Sequence, residues 1–71
     1  MQTIDARGLS CPEPVLRTRR AIQNLAAGEE ILVLVESATS RENVRRAAAS
    51  MGCSVDITSQ EETYRVQIRK A

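Results

Sequence analysis

The sequence predicts an α+β two-layer sandwich of order β-α-β-α-β-β, with a four-stranded mixed sheet and two helices on one of its faces. Three observations predict it. Two stretches of helical period are each followed by a glycine, four short segments have strand character with the last two strictly alternating, and 71 residues suffice for one domain only. Successive strand–helix–strand crossovers are right-handed, which places both helices on the same side of one sheet. Residues 1–71 therefore read as a single domain. Tyr64 is the lone aromatic, so the core has to be aliphatic, drawn from sixteen Ile, Leu and Val residues and nine Ala.

Thr3 to Ala6 is the first strand candidate, with Ile4 and Ala6 on one face and Asp5 on the other. Gly8 breaks it. From Pro12 to Ala27 the period turns helical: Val15, Thr18, Ile22, Leu25 and Ala26 share one side, and Arg17, Arg20 and Asn24 lie opposite. Gly28 then stands where a C-cap glycine belongs. Glu30 to Val35 is apolar on both faces through Ile31-Leu32-Val33-Leu34-Val35, which suits an interior strand or one whose second face is covered, for instance by another copy of the chain. Thr39 and Glu42 have capping-box spacing, followed by a narrow stripe of Val44, Ala47, Ala48 and Met51 that Gly52 closes. Glu42 can pair with Arg45 or Arg46 one turn on. Cys53, Val55 and Ile57 alternate with polar residues, as do Tyr64, Val66 and Ile68. The short polar link Gln60-Glu61-Glu62-Thr63 makes these two strands a hairpin.

The formal charge is +1, with nine of the ten basic residues arginine and Lys70 the single lysine. No large field of one sign is expected, which together with the missing aromatic platforms argues against nucleic acid as a partner. The chain has no histidine and its two cysteines are far apart, so neither a metal nor any other cofactor is expected. Its longest uncharged apolar stretch, Ile31 to Val35, is too short to cross a bilayer. Met1-Gln2-Thr3-Ile4-Asp5 has no basic patch followed by an apolar run, and the cysteines read as thiols of a reducing compartment, so a cytoplasmic location is expected.

The densest local signal is Gly8-Leu9-Ser10-Cys11-Pro12-Glu13-Pro14. Two prolines this close to a helix start are tolerated only in the first turn, where the amide groups they remove have no intrahelical partner. With Pro12 at the first helical position, Cys11 becomes the cap residue and its sulfur can accept from the Glu13 N–H at the positive end of the helix dipole. Cysteine ranks poorly as a cap, and Ser10 stands beside it. What it adds is thiolate character, since a helix N-terminus lowers a thiol pKa from about 8.5. Arg7 and Arg17 would favour the anion and Glu13 would oppose it. A lone cysteine near a helix start is more often an inert, half-buried residue. The flanking glycine and prolines tilt this one toward exposure.

A cysteine hydrolase wants a histidine base, and a dithiol oxidoreductase wants a resolving cysteine nearby. The chain has no histidine, and its other cysteine, Cys53, is forty-two positions on and shares its strand face with Val55 and Ile57, so it reads as a core residue. What remains is a cysteine that accepts a group from one partner and hands it on, and a persulfide fits. Arg17, Arg19 and Arg20 read first as a solvated helix face. Arg7, Arg17 and Arg20 are also candidates for docking an acidic donor beside Cys11.

Asp5-Ala6-Arg7-Gly8-Leu9-Ser10-Cys11-Pro12-Glu13-Pro14-Val15 resembles the opening of the TusA/SirA-like family, marked by Cys-Pro-x-Pro, and the resemblance continues to the closing strand Tyr64-Arg65-Val66-Gln67-Ile68-Arg69-Lys70. It implies sheet order 1-2-4-3, with the fourth strand antiparallel between the second and third. It also implies a small sulfur carrier or sulfurtransferase-like protein, a transferase if catalytic, with Cys11 bearing the persulfide and Gly8, Pro12, Glu13 and Pro14 supporting it. Such carriers take sulfur from a donor such as a cysteine desulfurase or rhodanese-like enzyme. They pass it to an acceptor protein in relays for tRNA thiolation, molybdenum-cofactor synthesis or sulfur oxidation. Where thiolation carriers tend to have an acidic Asp-Asp-Pro-Ala type loop, this chain has Glu36-Ser37-Ala38-Thr39-Ser40. Arg41-Glu42-Asn43-Val44 and Gly52-Cys53 look more like the N-terminal domain of YedF-type selenium-metabolism proteins, which often carry a second domain. Two alternatives stay open: a non-catalytic regulatory or interaction module, linked to selenium metabolism, that keeps the motif as a structural cap, and a weak homodimer in either case.

Overall fold

In the computed structural model the elements run β1 (Gln2–Asp5), α1 (Glu13–Gln23), β2 (Glu30–Val35), α2 (Ala38–Ser50), β3 (Cys53–Gln60) and β4 (Thr63–Lys70). The structure describes residues 2–9 and 12–71. The strands form one sheet of order β1-β2-β4-β3, with β1 parallel to β2 and β4 antiparallel to both of its neighbours. Fold class and strand order are those expected.

Register decides what is buried. Ile31 faces Ile68 and Val33 faces Val66 across β2 and β4, and with Val35 all are fully buried. Onto this face α1 brings Ile22 and α2 brings Val44 and Ala48, completing an aliphatic core without an aromatic ring inside it. Tyr64, Cys53 and Val55 pack at its margin, so Cys53 is the core-side residue expected. Thr18 is the one buried polar side chain among the described residues, and its Oγ1 donates to the Pro14 carbonyl at 2.8 Å. The period of two sends Leu32 and Leu34 to the other face, beside Gln67 and Arg65, where no helix lies.

Several boundaries differ from expectation, each for a local reason. β1 starts and ends one residue earlier, although Ala6 is buried and its N–H still reaches the Leu34 carbonyl at 2.9 Å. Helix α1 stops at Gln23 instead of Ala27, and Ala26 is exposed instead of buried. Its last turn tightens, with Asn24 and Leu25 N–H donating to the Ala21 and Ile22 carbonyls. The Glu29 carboxylate takes the Ala26 N–H at 2.6 Å, while Lys70 Nζ takes the Ile22 and Leu25 carbonyls at 3.3 and 2.9 Å. Gly28 is therefore no C-cap. It sits in the turn beyond, and its N–H donates to the Lys70 carbonyl.

Ser37 caps α2, two residues before the expected Thr39, because its Oγ accepts the Ser40 N–H at 3.0 Å from an extended backbone. Glu42, freed from a capping box, pairs with Arg45 and Arg46. The hairpin needs only Glu61-Glu62 to turn, since Gln60 still faces Thr63.

Candidate functional site

Parallel pairing of β1 and β2 sends both strands out at the same end of the sheet, and the antiparallel β3–β4 hairpin turns there too. A helix that follows a parallel strand runs back along it, so the N-termini of α1 and α2 open at this end as well. Residues 6–9, the start of α1 at Pro12, residues 36–37 and the Glu61-Glu62 turn thus converge. In open sheets with parallel strands this carboxyl end is where ligands bind.

The first of these loops is built tightly. The Leu9 N–H donates to the Ala6 carbonyl at 3.3 Å, and Gly8 occupies the third turn position at φ 78°, a conformation that disfavours any Cβ. Arg7 reaches back to Asp5 with its backbone N–H and Nε on Oδ1, at 3.1 and 2.9 Å, and Nη2 on Oδ2 at 2.8 Å. These Arg7 donors hold the Asp5 carboxyl down at about 2, against 3.8 ordinarily, and the Arg7 guanidinium is raised in turn.

Helix α1 begins one residue later than expected. Pro12 is the cap itself, at φ −99° and ψ 15°, Glu13 is the first helical residue and Pro14 the second. Cys11 therefore precedes the cap residue in the chain. With neither proline carrying an N–H, Glu13 and Val15 hold the amide donors of the first turn that lack an intrahelical acceptor. Pro14 is fully buried while Pro12 and Glu13 are exposed, and the Glu13 carboxylate pairs with Arg17 at 3.6 Å. Cys11, the expected persulfide residue, and its neighbour Ser10 lie outside the described residues.

The expected docking arginines are not brought together. Arg17 and Arg20 line a shallow depression along the β1 edge with Gln2, Ile4, Ala21 and Asn24. Arg7 instead belongs to a groove over the uncovered sheet face, with Leu32, Leu34, Glu61, Thr63 and Arg65. Sequence reasoning did not bring Glu36 together with Glu61, Glu62 and Tyr64. Glu36, Glu61 and Glu62 surround a hollow beside Tyr64, and the Arg41 guanidinium stacks 4.8 Å from the Tyr64 ring centroid. The signal was a lone aromatic at the start of the last strand, which alternation alone counted as core.

The family model described as "Sulfurtransferase TusA" matches residues 2–70. A "putative sulfur carrier protein" of Methanocaldococcus jannaschii is 35% identical over 71 residues, covering 99% of this chain and 95% of that protein. Another of the same description, from Halobacterium salinarum, is 38% identical over 72 residues, covering 97% of this chain and 88% of that one. The crystal structure of a SirA-like protein from Desulfitobacterium hafniense superposes with a TM-score of 0.90 at 37% identity, over 97% of this chain and 96% of that one.

Proposed function

The chain belongs to the TusA sulfurtransferase family, and from that premise we propose that it is a sulfur carrier whose Cys11 takes up sulfur as a persulfide and relays it to an acceptor protein. The observation that supports the proposal is Pro12, Glu13 and Pro14 opening α1 at the carboxyl end of the parallel strands, directly after Cys11 in the sequence. An anion there meets the positive end of the helix dipole and the Glu13 and Val15 amides.

The chemistry needs no base and no cofactor. The Cys11 thiolate attacks the terminal sulfur of a donor persulfide, forming one S–S bond as the donor's S–S bond breaks and its thiolate leaves. An acceptor thiolate then attacks the terminal sulfur on Cys11, and the Cys11 thiolate departs. Each step exchanges one S–S bond for another, with no net oxidation. The donor is a cysteine desulfurase or a rhodanese-like enzyme, and the relay works in a reducing cytoplasm, where both cysteines remain thiols. Exposed Arg17 and Arg20 steer an acidic donor to the α1 flank.

Intact-mass measurement after incubation with such a donor tests this. One sulfur atom is gained by the wild type and by Cys53→Ser, and none by Cys11→Ser. No gain with any donor, or a gain that persists in Cys11→Ser, overturns it.

One observation favours a second reading, a non-catalytic interaction module linked to selenium metabolism. Arg7 and Arg17, the cations expected to support the thiolate, are occupied by Asp5 and Glu13. Under that reading the Cys11 alkylation rate follows pH as an ordinary thiol does, whereas the carrier reading expects its midpoint below that of a free cysteine.

A further inference from the structure

Strand β3 lies at the edge of the sheet and pairs only with β4, so the outer N–H and C=O groups of Cys53–Gln60 have no ladder partner among the described residues. Such edges are normally blunted by Lys, Pro, a bulge or short length. This one has eight residues, no Lys, Arg, Pro or Gly, and a single charge, Asp56. The opposite edge, β1, has only four residues and ends in the Asp5–Arg7 ion pair. On the helix-side face of β3, Cys53 and Val55 are half-buried and Ile57 is 39% exposed, one of two large apolar side chains left in water among the described residues.

We propose that β3 pairs antiparallel with β3 of a second copy of this chain, across a two-fold axis at Val55, joining two sheets into one of eight strands. This register is the one that matches the apolar row to itself: Val55 meets Val55, and Cys53 meets Ile57 in both directions. On the other face it sets Asp56 opposite Ser54 of the second copy. Ser54 is itself opposite Arg69 on β4. The small serine lets the second copy's Arg69 extend over it toward Asp56, and neither charge makes an ion pair within one copy among the described residues. A register one residue along would set Asp56 against Asp56, which like-charge repulsion disfavours. A ladder of five residues a side is a small interface, so the dimer is weak and appears only as concentration rises.

Sedimentation of Cys11→Ser under reducing conditions from micromolar to millimolar concentration tests it, so that no disulfide through Cys53 or Cys11 contributes. The mass is expected to climb from that of one 7.8 kDa chain toward twice that value. Ile57→Lys is expected to move the midpoint at least tenfold higher with an unchanged circular-dichroism spectrum. Register is read by oxidative cross-linking in a Cys11→Ser, Cys53→Ser background. Val55→Cys gives a covalent dimer across the axis, and Thr58→Cys, which lies outside the ladder, does not. A single-chain mass up to the millimolar range overturns the proposal. So does a dimer that cross-links through Thr58→Cys and not through Val55→Cys.

Discussion

Asp5 is 54% exposed at its side chain yet titrates well below an ordinary aspartate, because three Arg7 donors converge on its two oxygens. A carboxyl held at about 2 in the folded chain and near 3.8 when free stabilises the fold above the higher value, and that contribution fades as pH falls through the window between them. The pair is exposed, so salt screens it, and its contribution to stability shrinks together with the displacement of the midpoint as ionic strength rises. Following the Asp5 carboxyl by NMR, Arg7→Gln is expected to return its midpoint toward the ordinary value; an unmoved midpoint would contradict the assignment. Asp5–Arg7 thus rigidifies the turn leading to Cys11, and the cation is spent on that task.

Among the elements, α2 offers the sharpest test, because two residues compete for the role of cap. Ser37 accepts the Ser40 N–H, whereas Thr39 lies inside the helix and is exposed. Ser37→Ala is expected to cost about 1 kcal/mol of stability, the usual value of a lost N-cap, and Thr39→Ala only a few tenths either way. Denaturant unfolding of the two variants decides it, and a reversed order would restore the Thr39–Glu42 box. The hairpin shows a different compromise. Glu61 turns at φ 57°, the one non-glycine residue with positive φ among those described, in a position where glycine would be relaxed.

At the scale of the molecule, a single lysine ties the end of the last strand to the end of the first helix. Lys70 Nζ donates to the Ile22 and Leu25 carbonyls, and the Lys70 backbone exchanges hydrogen bonds with Gly28 and Glu29. A cation at a helix C-terminus gains from both the orphan carbonyls and the dipole. Lys70→Met keeps the apolar stem and removes the donors. It is expected to cost about 1 to 2 kcal/mol and to speed amide exchange at Leu25 and Gly28, with β3 unaffected. Exchange rates that stay unchanged at those two amides would show the tie to be dispensable. In a chain this short such a loss is a large share of the total stability.

Period and punctuation were enough to read the order of elements, the Ile31–Val33–Val35 face of the core and, to within one residue, the proline-marked start of α1, because these depend on neighbours within a few residues. Element ends were less legible. Ala26 fitted the helical period, but Lys70, more than forty residues on, took the carbonyls that would have extended the helix. Arg7, Arg17 and Arg20 looked like one basic patch in the sequence; the sheet separates them, with Arg7 on its uncovered face and the other two along the β1 edge. Nor could spacing show that Glu36, Glu61, Glu62 and Tyr64 meet at the end where α1 opens. What lies between neighbours is written in their spacing, whereas competition for a carbonyl or the side of a sheet is settled only when distant segments occupy the same space.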